Sequence, residues 1–328
     1  MEAMSGAARY EQQPRTPKVI DNPYMQRAQR WHAQGVVVIG AFGFLLGAAL
    51  LIWGPPIDAI DVAIFAGMFL TVGIGTTVGY HRHFTHCSFK AVMPVRVALA
   101  ILGSMAGQGT LFFWVALHRR HHECSDATGD PHSPFVNDRG KEHGSRLRGL
   151  WHAYIGWTFG HEVPNALHYA RDLIREPVLA QANRFYFLWV AIGLALPTVL
   201  GGVLHGTWVG ALSGLVWGGF VRIFLWHNMI WIITSIAHII GRRDFKSDDK
   251  STNNIWLALP TLGESFHNNH HAFPKAAIMG LKWWQIDIGG WIIVLLEKLG
   301  LAWDVWRPTP AMMERKKAHA ALDTVRAA

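Results

Sequence analysis

Four stretches of this chain run for about twenty residues with almost no charge, and that constrains the fold more than any other feature. Residues 35–53 and 62–80 are each 19 residues long and uncharged, and residues 185–204 add a third run of 20. The fourth, residues 208–240, is 33 long and interrupted only by Arg222, His227 and His238. A 19-residue helix rises roughly 28 Å, close to the ~30 Å hydrocarbon core of a bilayer. The links between paired runs, Gly-Pro-Pro-Ile-Asp at 54–58 and His-Gly-Thr at 205–207, carry no Lys or Arg. The runs therefore read as two transmembrane hairpins. As one helix the fourth run is roughly 50 Å long and should project about 15–20 Å beyond the bilayer. The basic clusters lie at the other helix ends, so the positive-inside rule places both termini and the segment between the hairpins in the cytoplasm.

Composition agrees with this reading. The chain is 51% hydrophobic and 16% charged, against roughly 25% charged in soluble domains. That argues against a soluble enzyme or a disordered tail. The net charge of +8, from 30 basic and 22 acidic residues, fits cytosolic loops facing anionic lipid better than a nucleic-acid patch, so no nucleic-acid partner is expected. Two cysteines, Cys87 and Cys124, make no disulfide framework, and a reducing compartment is expected. The polar first 31 residues lack the apolar core of a secretory signal. Residues 92–113 hold Pro94, Arg96 and Gln108, and residues 283–306 hold Asp287, Glu297, Lys298 and Asp304. Both are expected to lie at the interface, or to dip in and return, rather than to cross.

Of 19 histidines, most of the informative ones fall in three clusters: His81-Arg-His-Phe-Thr-His86, His118-Arg-Arg-His121-His122 and His267-Asn-Asn-His270-His271. The second and third share an i, i+3, i+4 spacing, which stacks imidazoles on one helix face, as metal ligation needs. His81 and His86 sit about 140° apart on a continuous α-helix, so they are expected to converge only if the helix ends between them. His83 points away and is the weaker ligand. Isolated histidines such as His32, His143, His168, His205 and His319 are expected in ordinary core or surface roles. The clusters exceed one tetrahedral site and contain no cysteine, which suggests two metals. Imidazole suits iron, copper and zinc alike; a positively charged dimetal centre suited to binding and reducing O2 favours two iron ions over copper.

These three boxes, in this order and between these membrane segments, resemble the membrane fatty-acid desaturases of the stearoyl-CoA type, particularly bacterial members, over roughly residues 32–306. The resemblance implies an all-α membrane fold: four transmembrane helices in two hairpins, interfacial helices, and a cytosolic helical cap holding a dimetal site. Residues 1–31 and 307–328 would be cytosolic tails flanking a desaturase domain at 32–306. The implied ligands are His81, His86, His118, His121, His122, His267, His270 and His271, with a ninth, His238, from the family's Asn-x-x-x-His pair. Here Thr234 stands at the Asn position, so its water-holding role there is an expectation for a hydroxyl instead. Glu264, three residues before His267, is expected to orient a liganding imidazole. The family's acyl tunnel maps onto Gln108, Trp114 and Trp231, with Asn228 at a neighbouring family position. Ala116-Leu117 replaces the Arg-Asp that acyl-CoA-handling members carry, which leaves lipid-linked or carrier-linked acyl groups open.

The implied activity is O2-dependent insertion of a cis double bond, expected at the ninth carbon, into a long saturated acyl chain held as acyl-CoA or acyl-lipid. Electrons would come from an external donor such as ferredoxin or cytochrome b5 with its reductase. Arg315-Lys316-Lys317 and Gly241-Arg242-Arg243 are candidate docking segments, or lipid contacts. A bacterial inner membrane, with the site on the cytoplasmic side, is the expected location. The competing readings are a lipid hydroxylase on the same scaffold and a non-catalytic membrane metal-binding or transport protein.

Overall fold

The structure, a computed structural model, describes residues 16–54 and 56–317. His319 and the outer parts of both expected tails lie outside the described residues. Four helices are long and apolar enough to cross a membrane. The first, α1 (Pro23–Trp53), starts before the expected domain boundary at residue 32, because Asn22 caps it by accepting from the Tyr24 and Met25 amides and Pro23 presets the first turn. Apolarity marks only the part of the helix suited to lipid; the capping residues mark where it begins. The second, α2 (Ala59–Thr85), opens on a capping box between Asp58 and Asp61. Its last 11 residues, Gly75–Thr85, wind as a π-helix.

The apolar stretch that follows is split. Helix α3 (Met93–Ser104) has 12 residues, a rise of roughly 18 Å that is too short to cross. Left-handed Gly107 and Gly109 then turn the chain into α4 (Leu111–Cys124), which Thr110 caps through the Phe113 amide. Helix α5 (Arg146–Tyr154) and shorter turns lead to the remaining long helices, α6 (Tyr186–His205) and α7 (Trp208–His238). A second π segment, Leu215–Val221, lies in α7. Helices α6 and α7 pack closely on each other, whereas α1 and α2 both pack on α7. Only Gly40, Gly43 and Gly47 are buried along α1, and the space a Cβ would fill there is taken by Phe224, Phe220 and Val221 of α7. A stripe of small residues thus lets α1 approach α7, as between membrane helices generally. Large apolar side chains cover its other faces, with Leu45, Ile52 and Trp53 exposed.

His205 Nε2 meets Asp58 Oδ2 at 3.0 Å, so the turns of both helix pairs lie together at one end of the molecule. The opposite end carries the histidine clusters and the short elements: α8 (His267–Ala272), α9 (Ile288–Lys298) and α10 (Pro310–Lys316). Two short antiparallel pairs, Val19–Ile20 with Val163–Pro164 and Lys90–Ala91 with Ala302–Trp303, tie this end together. Helix α10 is no free tail. Met312 and Met313 pack on Phe245 and Phe273, and Lys316 Nζ donates to the Ala272 carbonyl at the end of α8. Arg243 is engaged with Ser247 and the Asp249 carbonyl. Of the basic docking candidates, Arg242, Arg315, Lys316 and Lys317 are exposed, with Lys316 and Lys317 bonded to Ala272 and Glu314.

Candidate metal centre

Nine imidazoles from four helices gather into two groups at the end opposite the turns. His81, His86, His118, His122 and His270 form one; His121, His238, His267 and His271 form the other, with the ligand atoms of each within 4.8 Å of one another. Each i, i+3, i+4 cluster is shared. On α4, His118 and His122 serve the group of five while His121 serves the group of four. On α8, His270 serves the five while His267 and His271 serve the four. The C-terminal ends of α2 and α7 complete the two sets. The sequence expectation of three rings meeting on one face gives way to a finer rule: i and i+4 go to one group, and i+3 turns to the other.

His81 and His86 meet by a route the sequence reading did not foresee. The helix ends at Thr85, between them as expected, but its last turns are widened. The His86 amide donates to the His81 carbonyl at 3.2 Å, the i→i+5 bond of a π-turn, which sets residues five apart over one another. Their ring centroids are 4.9 Å apart. His83 lies outside both groups, with Nδ1 on the Phe89 carbonyl and Nε2 accepting from Arg96.

The donor set fits metal ions. Paired Nε2 atoms stand at 3.0 Å (His81–His270), 3.1 Å (His118–His122), 2.9 Å (His122–His270) and 2.9 Å (His238–His267). Two nitrogens each about 2.1 Å from one ion and at right angles to each other would be ~3.0 Å apart. Carboxylates hold the far side of four rings through Nδ1. Glu264 holds His81, Asp130 holds His121 at 3.0 Å, Asp126 holds His238 at 2.9 Å and Asp249 holds His271 at 2.5 Å. Each carboxylate fixes the tautomer that points Nε2 inward. His121 Nε2 and His271 Nε2 are buried there without another partner.

Burial, reinforced by neighbouring imidazoles, pushes His118, His122, His267 and His270 well below the usual histidine range. Burial also lowers His271, to about 4, against the opposing pull of Asp249. Burial acts the same way on His121, but the Asp130 carboxylate outweighs it and the ring is raised. Asp130 and Asp249 are held below the usual carboxylate range by His121 and His271, which overcome their own burial. Neutral rings backed by ionised carboxylates are the protonation states that bind a cation.

Of these braces only Glu264 was singled out, by its place before the third cluster. Asp126 and Asp249 were missed, since each sits in a polar loop with nothing local to mark it. Arg82 was missed as well: wholly buried, it pairs with Glu264 at 3.1 Å and Asp287 at 2.8 Å, locking the Glu264 brace. His132 packs against His121 with the rings tilted at 33° and 4.2 Å between centroids.

Two adjoining cavities reach this centre. The inner one, ≈ 50 Å³, is bounded by Thr76, Thr77, Trp114, Thr234 and Glu264 among the histidines. The outer one, ≈ 90 Å³, includes Gln108, Trp114 and Trp231 in its wall, with Gln29, Trp157 and His227. Trp114 and Ile230 belong to both. Trp114 stacks on His118 and donates to Gln108 Oε1 at 3.3 Å. The Thr234 hydroxyl donates to the Ala153 carbonyl at 2.7 Å. Asn228 stands apart from both cavity walls, its amide engaged with the Tyr154 hydroxyl and the Phe224 carbonyl.

A sequence profile of the fatty acid desaturase family matches residues 59–293. A hex-5-enoyl-[acyl-carrier protein] acetylenase of Moorena producens is 49% identical over 300 residues, 92% of this chain and 93% of the relative. An sn-1 stearoyl-lipid 9-desaturase of Anabaena variabilis is 35% identical over 250 residues, 75% of this chain and 84% of the relative. Delta-9 acyl-lipid desaturase 2 of Arabidopsis thaliana is 32% identical over 311 residues, 93% and 95% of the two chains.

Proposed function

Since the chain belongs to the fatty acid desaturase family and is an oxidoreductase of that type, we propose that it is a di-iron enzyme using O2 to remove two hydrogens from a fatty acyl chain. The observation that carries the reading is the pair of histidine groups opening onto one narrow cavity beside Trp114. The reaction balances as an acyl CH2–CH2 unit, O2, two electrons and two protons giving CH=CH and two waters. Two iron ions held by the nine histidines would supply O2 reduction and hydrogen abstraction. The rest is work for the protein. The carboxylates fix the imidazoles, Trp114 and Ile230 set the passage between the two cavities, and the buried walls keep water from the reacting carbons. The Thr234 hydroxyl, on the inner wall, is placed to hold a water with its lone pairs while its proton is shared between the Ala153 and Trp231 carbonyls.

On this reading the four long helices span a bacterial inner membrane, with the site, both termini and the 1–31 and 307–328 segments cytoplasmic and a cap over the domain at 32–306. Electrons come from a separate donor, a ferredoxin or a cytochrome b5 with its reductase, for which Arg242 and Arg315 are exposed contacts. The relatives pull the substrate two ways. The stearoyl-lipid 9-desaturase supports a long chain desaturated at the ninth carbon, and the acetylenase supports a short chain on an acyl carrier.

Expression in a host that lacks a desaturase tests the activity. A new monounsaturated acyl chain that disappears under anoxia is the expected result. Hydroxylated lipid would replace the reading with a monooxygenase, and unchanged lipid around an iron-loaded protein would replace it with a metal-binding role.

A further inference from the structure

The inner cavity has a floor. On its α2 side it stops at Thr76 and Thr77, and beneath Thr76 lies Trp226, wholly buried, whose Nε1 donates to the Thr76 hydroxyl at 3.2 Å. Phe69 packs edge-on against the Trp226 ring at 5.1 Å. Leu262 closes the remaining gap. A Cβ on Gly73 would lie 2.5 Å from Leu262 Cδ1 and 3.1 Å from the Trp226 ring, so even a methyl group has no room there. Leu262 reaches this place at φ +55°, an unusual backbone for a residue other than glycine. Ile64, Met68, Val72, Met105 and Ala106 fill the space beyond as one packed cluster. An acyl chain entering past Trp114 thus meets solid core a short distance beyond the histidines.

The outer cavity has the opposite character, because polar groups without partners sit in its wall. Trp157 Nε1, Gln29 Oε1 and His227 Nε2 are buried there and unpaired among the described residues, and His227 is only 4% exposed. Their roles are fixed by what they already bond. Gln29 donates its amide to His161, whose Nδ1 is on the Glu162 carbonyl, so its oxygen remains an acceptor. His227 gives Nδ1 to the Ile223 carbonyl, so its Nε2 is an acceptor too. The wall therefore offers one donor and two acceptors, each costly to bury unpaired. A methylene chain meets none of these needs. A lipid ester brings only acceptors and leaves Gln29 and His227 unmet. A thioester on an amide-bearing arm brings a carbonyl for Trp157 and N–H groups for the two acceptors.

We propose that this chain acts on a short acyl group whose thioester end is held inside the outer cavity, with the methyl end stopped at the Trp226–Leu262 floor. The inner cavity, ≈ 50 Å³ and closed by that floor, leaves room for only a short methyl-end segment beyond Trp114. The double bond then forms near the methyl end, its position counted from the floor. This departs from the long chain expected from the sequence, and for catalysis it rests on the desaturase reading above.

The test has a binding arm and a product arm. Titration calorimetry on the metal-free protein compares octanoyl-CoA with palmitoyl-CoA, and at least tenfold tighter binding of the octanoyl thioester is expected whether or not the enzyme turns over. Gas chromatography of products then compares chains of 6 to 18 carbons on CoA, on a phosphopantetheinylated carrier protein and in phosphatidylcholine. Thioesters of the short chains should lead by tenfold or more, and the CoA and carrier arms separate the two sources of the amide-bearing arm. Leu262→Ala should lengthen the preferred chain by about two carbons. Trp226→Phe provides a second, milder opening if Leu262→Ala melts early. Equal use of 16- and 18-carbon chains by the unaltered enzyme overturns the floor, as does an unmoved optimum in folded Leu262→Ala and Trp226→Phe. Preference for phosphatidylcholine overturns the thioester head. Tight octanoyl binding with no oxidised product on any chain would leave the pocket standing and remove the desaturase reading instead.

Discussion

The two histidine groups face the same problem and solve it differently. The group of four has carboxylates behind three of its rings, Asp130 behind His121, Asp126 behind His238 and Asp249 behind His271. The group of five has one, Glu264 behind His81. Where there are four rings, three are oriented from behind; where there is one more, neighbouring rings crowd each other into place, with His86 in edge-on contact with His81, His118, His122 and His270. A binding site can be made stiff by bracing each ligand or by adding a ligand, and this chain does one on each side of a shared pair of helices.

That contrast breaks most visibly when a ligand is removed. His238→Ala leaves three rings in the smaller group, and we expect it to lose one of two irons and more than ~100-fold of turnover, beyond what loss of an outer hydrogen bond costs. His86→Ala leaves four rings in the larger group and is expected to keep both irons while turning over more slowly. Iron per protein, measured by atomic emission, decides it. If His86→Ala empties its site as fully as His238→Ala, ligand number does not substitute for bracing.

Removing a brace is the next largest effect. Asp249→Asn keeps the shape but lets the amide favour the wrong His271 tautomer, and iron affinity at one site should fall by about 10–100-fold. Glu264→Gln should behave differently, because Glu264 also neutralises the buried Arg82. Its signature is expected in Tm more than in iron content, since a buried pair weakened on one side costs up to ~3–5 kcal/mol. Chelator competition and a melting curve on both variants separate the two. Equal loss of iron with unchanged Tm in both would remove the distinction.

How much of this was legible beforehand follows the range of the interactions. The long helices and six of the nine clustered histidines are written in local pattern: uncharged runs of membrane length, and imidazoles at i, i+3, i+4. What the sequence reading lacked depends on contacts distant along the chain. Asp126 and His238 are 112 residues apart, and no local feature distinguishes Asp126 from Asp138 or Asp172. The π-winding that brings His86 to His81 is equally hidden, because it depends on how α2 packs and not on any residue that favours it. Gln108, Trp114 and Trp231 do share a cavity wall, yet Asn228, on the same helix three residues before Trp231, turns to Tyr154. A spacing on a helix names the face only when the neighbouring element is known.

The smallest expected effect bears on a hydroxyl beside both groups. Thr234 lies on the inner cavity wall with ligands of both groups, His81 and His118 from one, His121 and His267 from the other. Its hydroxyl proton is shared between the Ala153 and Trp231 carbonyls, at 2.7 and 3.0 Å, so what it can offer the centre is a lone pair to accept from a water. Thr234→Val keeps the volume and removes both bonds. The Ala153 carbonyl loses its partner, costing about 0.5–1.5 kcal/mol in unfolding free energy. If the hydroxyl also positions a water at the dimetal site, turnover should fall several-fold with iron content unchanged. A variant that is less stable by that amount but turns over at the normal rate would show that Thr234 only ties α7 to α5, and that the smaller group relies on its three carboxylates without help from the cavity side.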